Sequence, residues 1–174
     1  MPNVPLFIVT GAKGSGKTAV IKELRRIMPD YVVFDYDDII PFIRDDFDKL
    51  DKHQLQNIWL RVARDIAESG RITILCGIIR PHNIETCEDF HYFSHIYYLL
   101  LHCDDETREK RLRKRKKMTD KKIQYNNNIA QWFLEIADKS TPPMPIVDTS
   151  KTDVTKVAEQ IREWIEGHKT KNSL

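Results

Sequence analysis

The chain has 174 residues, 41% of them hydrophobic and 31% charged. That is the balance of a globular domain large enough to bury its own core, and it excludes a disordered chain and a membrane protein. The net charge of +2 names no partner, while the odd set Cys76, Cys87 and Cys103 lacks the spacing of a zinc or redox motif, so buried reduced thiols are expected.

In chain order, residues 6–10 form a short apolar run that reads as a buried strand. A glycine-rich loop follows, and then Val20, Ile21, Leu24, Ile27 and Met28 repeat at helical spacing until Pro29 stops them. Residues 31–34 are the next strand and deliver Asp35 and Asp37 at its carboxyl end. If the strand runs that far, alternation puts both carboxylates on one side. Residues 39–50 and 54–69 read as helices, the second with Leu55, Ile58, Trp59, Val62, Ala63 and Ile66 on one face and Gly70 as its stop.

Residues 71–76 and 95–103 are two further strands, the latter apolar enough for burial on both faces. A basic helix is expected from about 106 to 117, another helix from 121 to 137, a short strand at 143–147 and a terminal amphipathic helix that frays from Gly167. Trp59, Trp132 and Trp164 read as core residues, and no histidine pair has metal-ligand spacing. This alternation predicts one α/β domain over residues 1–174: a parallel sheet of about five strands with helices on both faces and ligands at the carboxyl ends of the strands. No apolar run spans a bilayer and the N-terminus lacks the basic start of a signal peptide, so a cytoplasmic location is the expectation.

Residues 11–18 read Gly-Ala-Lys-Gly-Ser-Gly-Lys-Thr, the full G-x-x-x-x-G-K-[ST] phosphate loop between a strand and a helix. Gly11, Gly14 and Gly16 let the backbone of Gly11, Ala12, Lys13, Gly14, Ser15 and Gly16 wrap so that its N–H groups face phosphate oxygens. Lys17 reaches the terminal phosphates, and the Thr18 hydroxyl is placed to ligate Mg²⁺ beside the helix N-terminus. ATP and Mg²⁺ are therefore the expected cofactors. No Asn-Lys-x-Asp run reads guanine, and the third strand closes in Cys76-Gly77 rather than in an acidic pair, which weakens the switch and motor readings.

With these features the chain resembles the small P-loop kinases of the nucleoside monophosphate kinase, shikimate kinase and gluconate kinase group. Cys76-Gly77-Ile78-Ile79-Arg80 is similar to the Asp-Gly-x-Pro-Arg of adenylate-kinase-like enzymes, with Gly77 and Arg80 matching. The resemblance implies that Arg80 holds a phosphate, and Cys76 removes the family's usual carboxylate partner of the metal. Arg111 and Arg115 have the Arg-x-x-x-Arg spacing of the family's lid, and a continuous helix would put Arg108 on the same face. A basic lid over about 108–122 and acceptor-binding helices over about 38–69 follow from the resemblance.

Phe34-Asp35-Tyr36-Asp37-Asp38 is similar to the Asp-x-Asp of shikimate-kinase-like enzymes. The resemblance implies that Asp35 supports the metal and Asp37 receives the acceptor's proton, while Asp37 or Asp38 competes for a helix-capping role. Arg44 with Arg80 argues for a nucleoside monophosphate acceptor; Asp35 with Asp37 argues for a hydroxyl acceptor such as a nucleoside, sugar acid or antibiotic. The Gly-x-x-Arg match after the third strand places the monophosphate first. The loop at 148–152 is where the group's architecture implies the adenine rests. A nucleotide-binding module that contacts nucleic acid through its basic segment ranks below both, because no aromatic residues interleave with the basic ones to stack on bases.

Overall fold

The computed structural model describes residues 4–42 and 51–171. Its described residues form a five-stranded, all-parallel sheet in the order β2-β3-β1-β4-β5. The strands are β1 (Leu6–Thr10), β2 (Val32–Asp35), β3 (Thr73–Gly77), β4 (Ile96–His102) and β5 (Ile146–Asp148). β1 lies at the centre and all five of its residues are buried, as a strand covered on both faces requires.

The helices are α1 (Lys17–Ile27), α2 (Lys52–Glu68), the short α3 (Pro81–Ile84), α4 (Asp105–Arg113), α5 (Asp120–Ala137) and α6 (Val154–Lys171). One core forms where α1 and α6 pack on the sheet through Val20, Leu24, Val157, Ile161 and Ile165. A second forms on the opposite face, where Leu55, Trp59, Leu60 and Ala63 of α2 cover Leu6, Ile8 and Leu75. A third cluster joins Leu100 to Phe133 and Ala137 of α5. All three cysteines are free and buried. Among the described residues no helix is long and apolar enough to cross a membrane.

The expected parallel α/β sheet is present, and four local expectations are corrected. β2 ends at Asp35 and the chain turns at once into a 3-10 segment, Tyr36–Phe42. Strand alternation therefore does not orient Asp37. Part of the helix expected at 39–50 is this tighter turn, and residues 43–50, Arg44 among them, lie outside the described residues. The expected basic helix ends at Arg113, with Lys114 as its C-cap, and Lys117 has a φ of 61° before α5 starts. Two helices meeting at a turn replace one basic rod. α6 continues through Gly167 to Lys171, because one glycine among good helix formers costs only about 1 kcal/mol.

Candidate active site

The carboxyl ends of β1, β2 and β3, the start of α1 and the turn between α4 and α5 enclose a cavity of about 1800 Å³. A single drug-sized ligand site measures about 300–1,000 Å³, so this cavity has room for two ligands side by side. Its walls carry Lys13, Gly14, Gly16, Lys17 and Thr18 from the phosphate loop, Asp35 and Asp37 from the end of β2, Gly77 and Arg80 after β3, and Arg111 and Arg115 from the basic segment. Gly11, Ala12 and Ser15 act from behind. Lys17 Nζ donates to the Gly11 carbonyl at 2.5 Å, to the Ala12 carbonyl at 2.9 Å and to Ser15 Oγ at 3.3 Å.

α1 begins on Gly16, in the left-handed conformation (φ 95°) and without a side chain to cap the helix. Its first N–H groups point at the cavity without an intrahelical partner, which is the arrangement that binds anions. Burial lowers the Lys17 ammonium to about 8, with Asp35 and Asp37 opposing that fall and Arg115 adding to it.

The two carboxylates reach the cavity by different routes. Asp35 ends β2 and its Oδ1 accepts the Asp37 N–H at 3.0 Å, which folds the chain into the 3-10 turn and carries Asp37 back beside it. Asp38 points away: its Oδ2 accepts the Asp35 N–H at 3.2 Å and pairs with Arg25 at 3.1 Å. Asp38 therefore neither faces the site nor caps a helix from Ile39; it locks the end of the strand. Asp37 holds its proton more tightly than an ordinary carboxylate, through burial first and the neighbouring Asp35 second, with Lys13 and Lys17 acting the other way.

Gly77 has a steric reason of its own. A methyl group there would collide with Cβ of Tyr36, so the glycine lets the turn bearing Asp37 lie against the end of β3. Next to it, Cys76 is a neutral thiol, pushed up to about 12 by burial and the charge of Asp35. Thr10, which the sequence patterns do not single out, accepts the Ile79 N–H at 3.1 Å and donates to the Ile79 carbonyl at 2.8 Å. That pair fixes the loop leading to Arg80, whose guanidinium lies 4.9 Å from the ring centre of Trp132. Trp132 is thus only partly a core residue; its outer face steadies Arg80.

The three basic-segment arginines separate. Arg108 is fully buried and bonded to Asp105, the Cys103 carbonyl and Asn127. It packs behind Gly14 and does not join the face expected to carry it. Arg111 lines the cavity while donating to the Gly14 carbonyl and Thr149 Oγ1, each at 3.0 Å, and to the Thr149 carbonyl at 2.6 Å. Thr149 in turn donates to the Ser15 carbonyl at 2.9 Å. Arg115 is exposed, beyond the end of α4; its backbone N–H donates to the Leu112 carbonyl at 2.9 Å, and no hydrogen bond or ion pair of its side chain is seen among the described residues. On the expected adenine side, Thr149 and Thr152 line the cavity with Val154 and Val157.

Magnesium fits the donor set. Thr18, Asp35 and Asp37 offer hard oxygens to the same cavity, few enough to leave most positions to water and phosphate, which is how this ion is usually held. The protonated Cys76 thiol is no competitor for it. No cluster of three or more histidine, cysteine, aspartate or glutamate side chains suited to a metal occurs among the described residues.

Residues 8–132 match the family model described as AAA domain. The chain belongs to the AAA-domain family. No curated protein sequence matches it. Among solved structures it is similar to a tunicamycin resistance protein of Deinococcus radiodurans, with 16% identity, a TM-score of 0.71 and coverage of 93% of this chain and 95% of that one. It is also similar to a sugar kinase of Janibacter sp. HTCC2649 (14%, 0.66, 94% and 95%) and to a shikimate kinase of Acinetobacter baumannii, solved with shikimate (16%, 0.63, 97% and 96%). At these identities the likeness is one of fold, and it bears out the expected P-loop architecture of the small kinases.

Proposed function

We propose that this AAA-domain protein is an ATP-dependent kinase that transfers the γ-phosphoryl group to a hydroxyl of a small molecule. The observation that carries the reading is the placement of Asp35 and Asp37 on the wall that also holds Lys17, with Asp37 raised toward the range of a working base. The reading also draws on neighbours described as a sugar kinase and a shikimate kinase. It reverses the order expected from the Gly-x-x-Arg spacing, because Asp35 and Asp37 both line the cavity that Lys17 also lines.

In this scheme the loop N–H groups and the start of α1 hold the β- and γ-phosphates. Asp37 takes the proton of the acceptor hydroxyl as its oxygen bonds to the γ-phosphorus and the bond to the bridging oxygen of ADP breaks. Lys17 and Arg115 neutralise the charge spread over the transferred group. Thr18 and Asp35 would hold Mg²⁺, which when bound supplies charge neutralisation at the phosphates. Arg111 keeps the nucleotide-side loop docked on the phosphate loop. Residues 111–122 serve as the lid, and 36–42 with 51–68 as the acceptor side.

A nucleoside monophosphate acceptor is the second reading, favoured by the guanidinium of Arg80, which lines the same cavity over Trp132 and for which no ion pair is seen among the described residues. The test is ATP-dependent phosphorylation of nucleosides, sugar acids and nucleoside monophosphates by the purified protein, with Lys17→Ala as control. Transfer to hydroxyl compounds that requires Asp37 supports the first reading. Transfer to monophosphates that requires Arg80 and survives Asp37→Asn replaces it with the second.

A further inference from the structure

Gln56 occupies the buried face of α2, between Leu55 and Trp59, and is only 4% exposed. A glutamine on such a face normally bonds to something. Here its carboxamide oxygen Oε1 is sealed from solvent and has no hydrogen-bond partner among the described residues. Leaving a buried amide unpaired lowers stability, so a protein that keeps one has a polar group waiting for a partner.

Gln56 lines the large cavity together with Leu55, Tyr36 and Ile40. One helical turn further on, Trp59 Nε1 donates to the Tyr36 carbonyl at 3.0 Å, and Tyr36 precedes Asp37. Residues three apart share a helix face, so Gln56 belongs to the face of α2 tied to the turn that carries Asp37. It lies away from the nucleotide side, whose wall is built from Arg111, Thr149 and α6. The amide therefore borders the space an acceptor would fill, among apolar neighbours that strengthen any hydrogen bond made there.

We propose that Gln56 is a specificity-determining residue that binds the acceptor by its carboxamide. A carboxamide presents a donor and an acceptor side by side. The matching substrate carries the same pair: the edge of a nucleobase, or two neighbouring hydroxyls of a sugar. The inference rests on the kinase reading above and assigns the group that selects the substrate. On ligand binding the side chain turns so that both amide atoms are satisfied, which a substrate lacking one of the pair does not achieve.

The experiment compares wild type with Gln56→Leu and Gln56→Glu, using ATP with adenosine, guanosine, cytidine, uridine, D-gluconate and shikimate, and reads the ligand-free Tm of each protein. Expected are a KM for the accepted compound raised about tenfold or more in Gln56→Leu, an unchanged KM for ATP, and a ligand-free Tm equal to or above wild type. Gln56→Glu separates the sources: it reorders preference among the four nucleosides if a base edge is read, and preserves the order of the sugar compounds if a diol is read. An unchanged acceptor KM in Gln56→Leu, or a ligand-free Tm several degrees lower, overturns the proposal in favour of a packing role. Failure of the wild type to phosphorylate any of the six compounds strikes the kinase reading instead. Gln56 is then judged by ligand-observed NMR binding of the same compounds: loss of binding in Gln56→Leu upholds it, while equal binding in the variant, or none in wild type, overturns it.

Discussion

Asp35 and Cys76 are register partners at the ends of β2 and β3, so a carboxylate lies beside a buried thiol at the edge of the site. The thiol stays neutral and leaves Asp35 as the single anion of that pair. Cys76→Asp would set two carboxylates side by side with one of them buried. We expect it to lower stability by about 2–4 kcal/mol in urea denaturation at neutral pH, with much of the loss recovered as the pH is lowered and the new carboxyl is protonated.

The lowered Lys17 has two consequences of definite sign. Above a pH of about 8 the free protein loses the Lys17 charge, so kcat/KM for ATP falls as pH rises through that value. A bound triphosphate favours the ammonium, so ATP binding near pH 9 takes up a proton, measurable by calorimetry in buffers of different ionisation enthalpy. Stability runs the other way. Between about 8 and the unfolded value of 10.5 the unfolded chain carries a proton that the folded chain has released, and stability rises with pH across that window.

Asp37→Asn is expected to lower kcat by about 10²–10⁴-fold while leaving ATP affinity near that of the parent. The base form of Asp37 is lost as pH falls through a value above the ordinary carboxylate range. The acid limb of the rate profile therefore stands higher than for an unperturbed aspartate, and the asparagine variant lacks it.

Arg111 and Arg115 separate in a paired experiment. Arg111→Ala removes hydrogen bonds to Gly14 and Thr149 and should cost about 1–3 kcal/mol of stability. Arg115→Ala touches nothing the fold needs, so Tm should be unchanged while kcat falls by about tenfold or more. Thermal melts and steady-state rates on both variants check this.

Trp132→Leu is expected to keep the fold but release Arg80 from the ring that steadies it. With a hydroxyl acceptor that carries an anionic group, KM should rise about threefold to tenfold and KM for ATP should not move. Gluconate set against a neutral nucleoside supplies the comparison.

Local patterns were enough for the sheet, because β1 is buried along its whole length and such a strand is apolar at every position. The phosphate loop was equally legible, since its chemistry is local to eight residues. Of the two grounds for Asp37, the Asp-x-Asp resemblance and strand alternation, the second does not hold: the Asp37 N–H bonded to the Asp35 side chain, not alternation, brings it to the cavity. Arg108 looked like its neighbours in a basic run, yet it is buried and bonded to Asp105 and Asn127, and Asn127 is nineteen positions away along the chain. Gln56 gave one faint signal, a polar side chain directly between the apolar Leu55 and the Asn57-Ile58-Trp59 stretch. Thr10 gave none, because its role exists only once β1 and β3 stand side by side in one sheet.

The uncapped start of α1 leaves this protein's fold open at one end. Most helices close that end with a serine, threonine, asparagine or aspartate; here a glycine stands in that place, and a bound anion would complete the turn from outside. Folding and occupancy are then linked quantities, and the chain in phosphate or sulfate buffer is thermodynamically a different sample from the chain in an anion-poor one. Melting temperatures measured in different buffers will scatter unless the free anion concentration is held fixed, and a modest rise with inorganic phosphate alone would report anion binding at the start of α1 without any nucleotide.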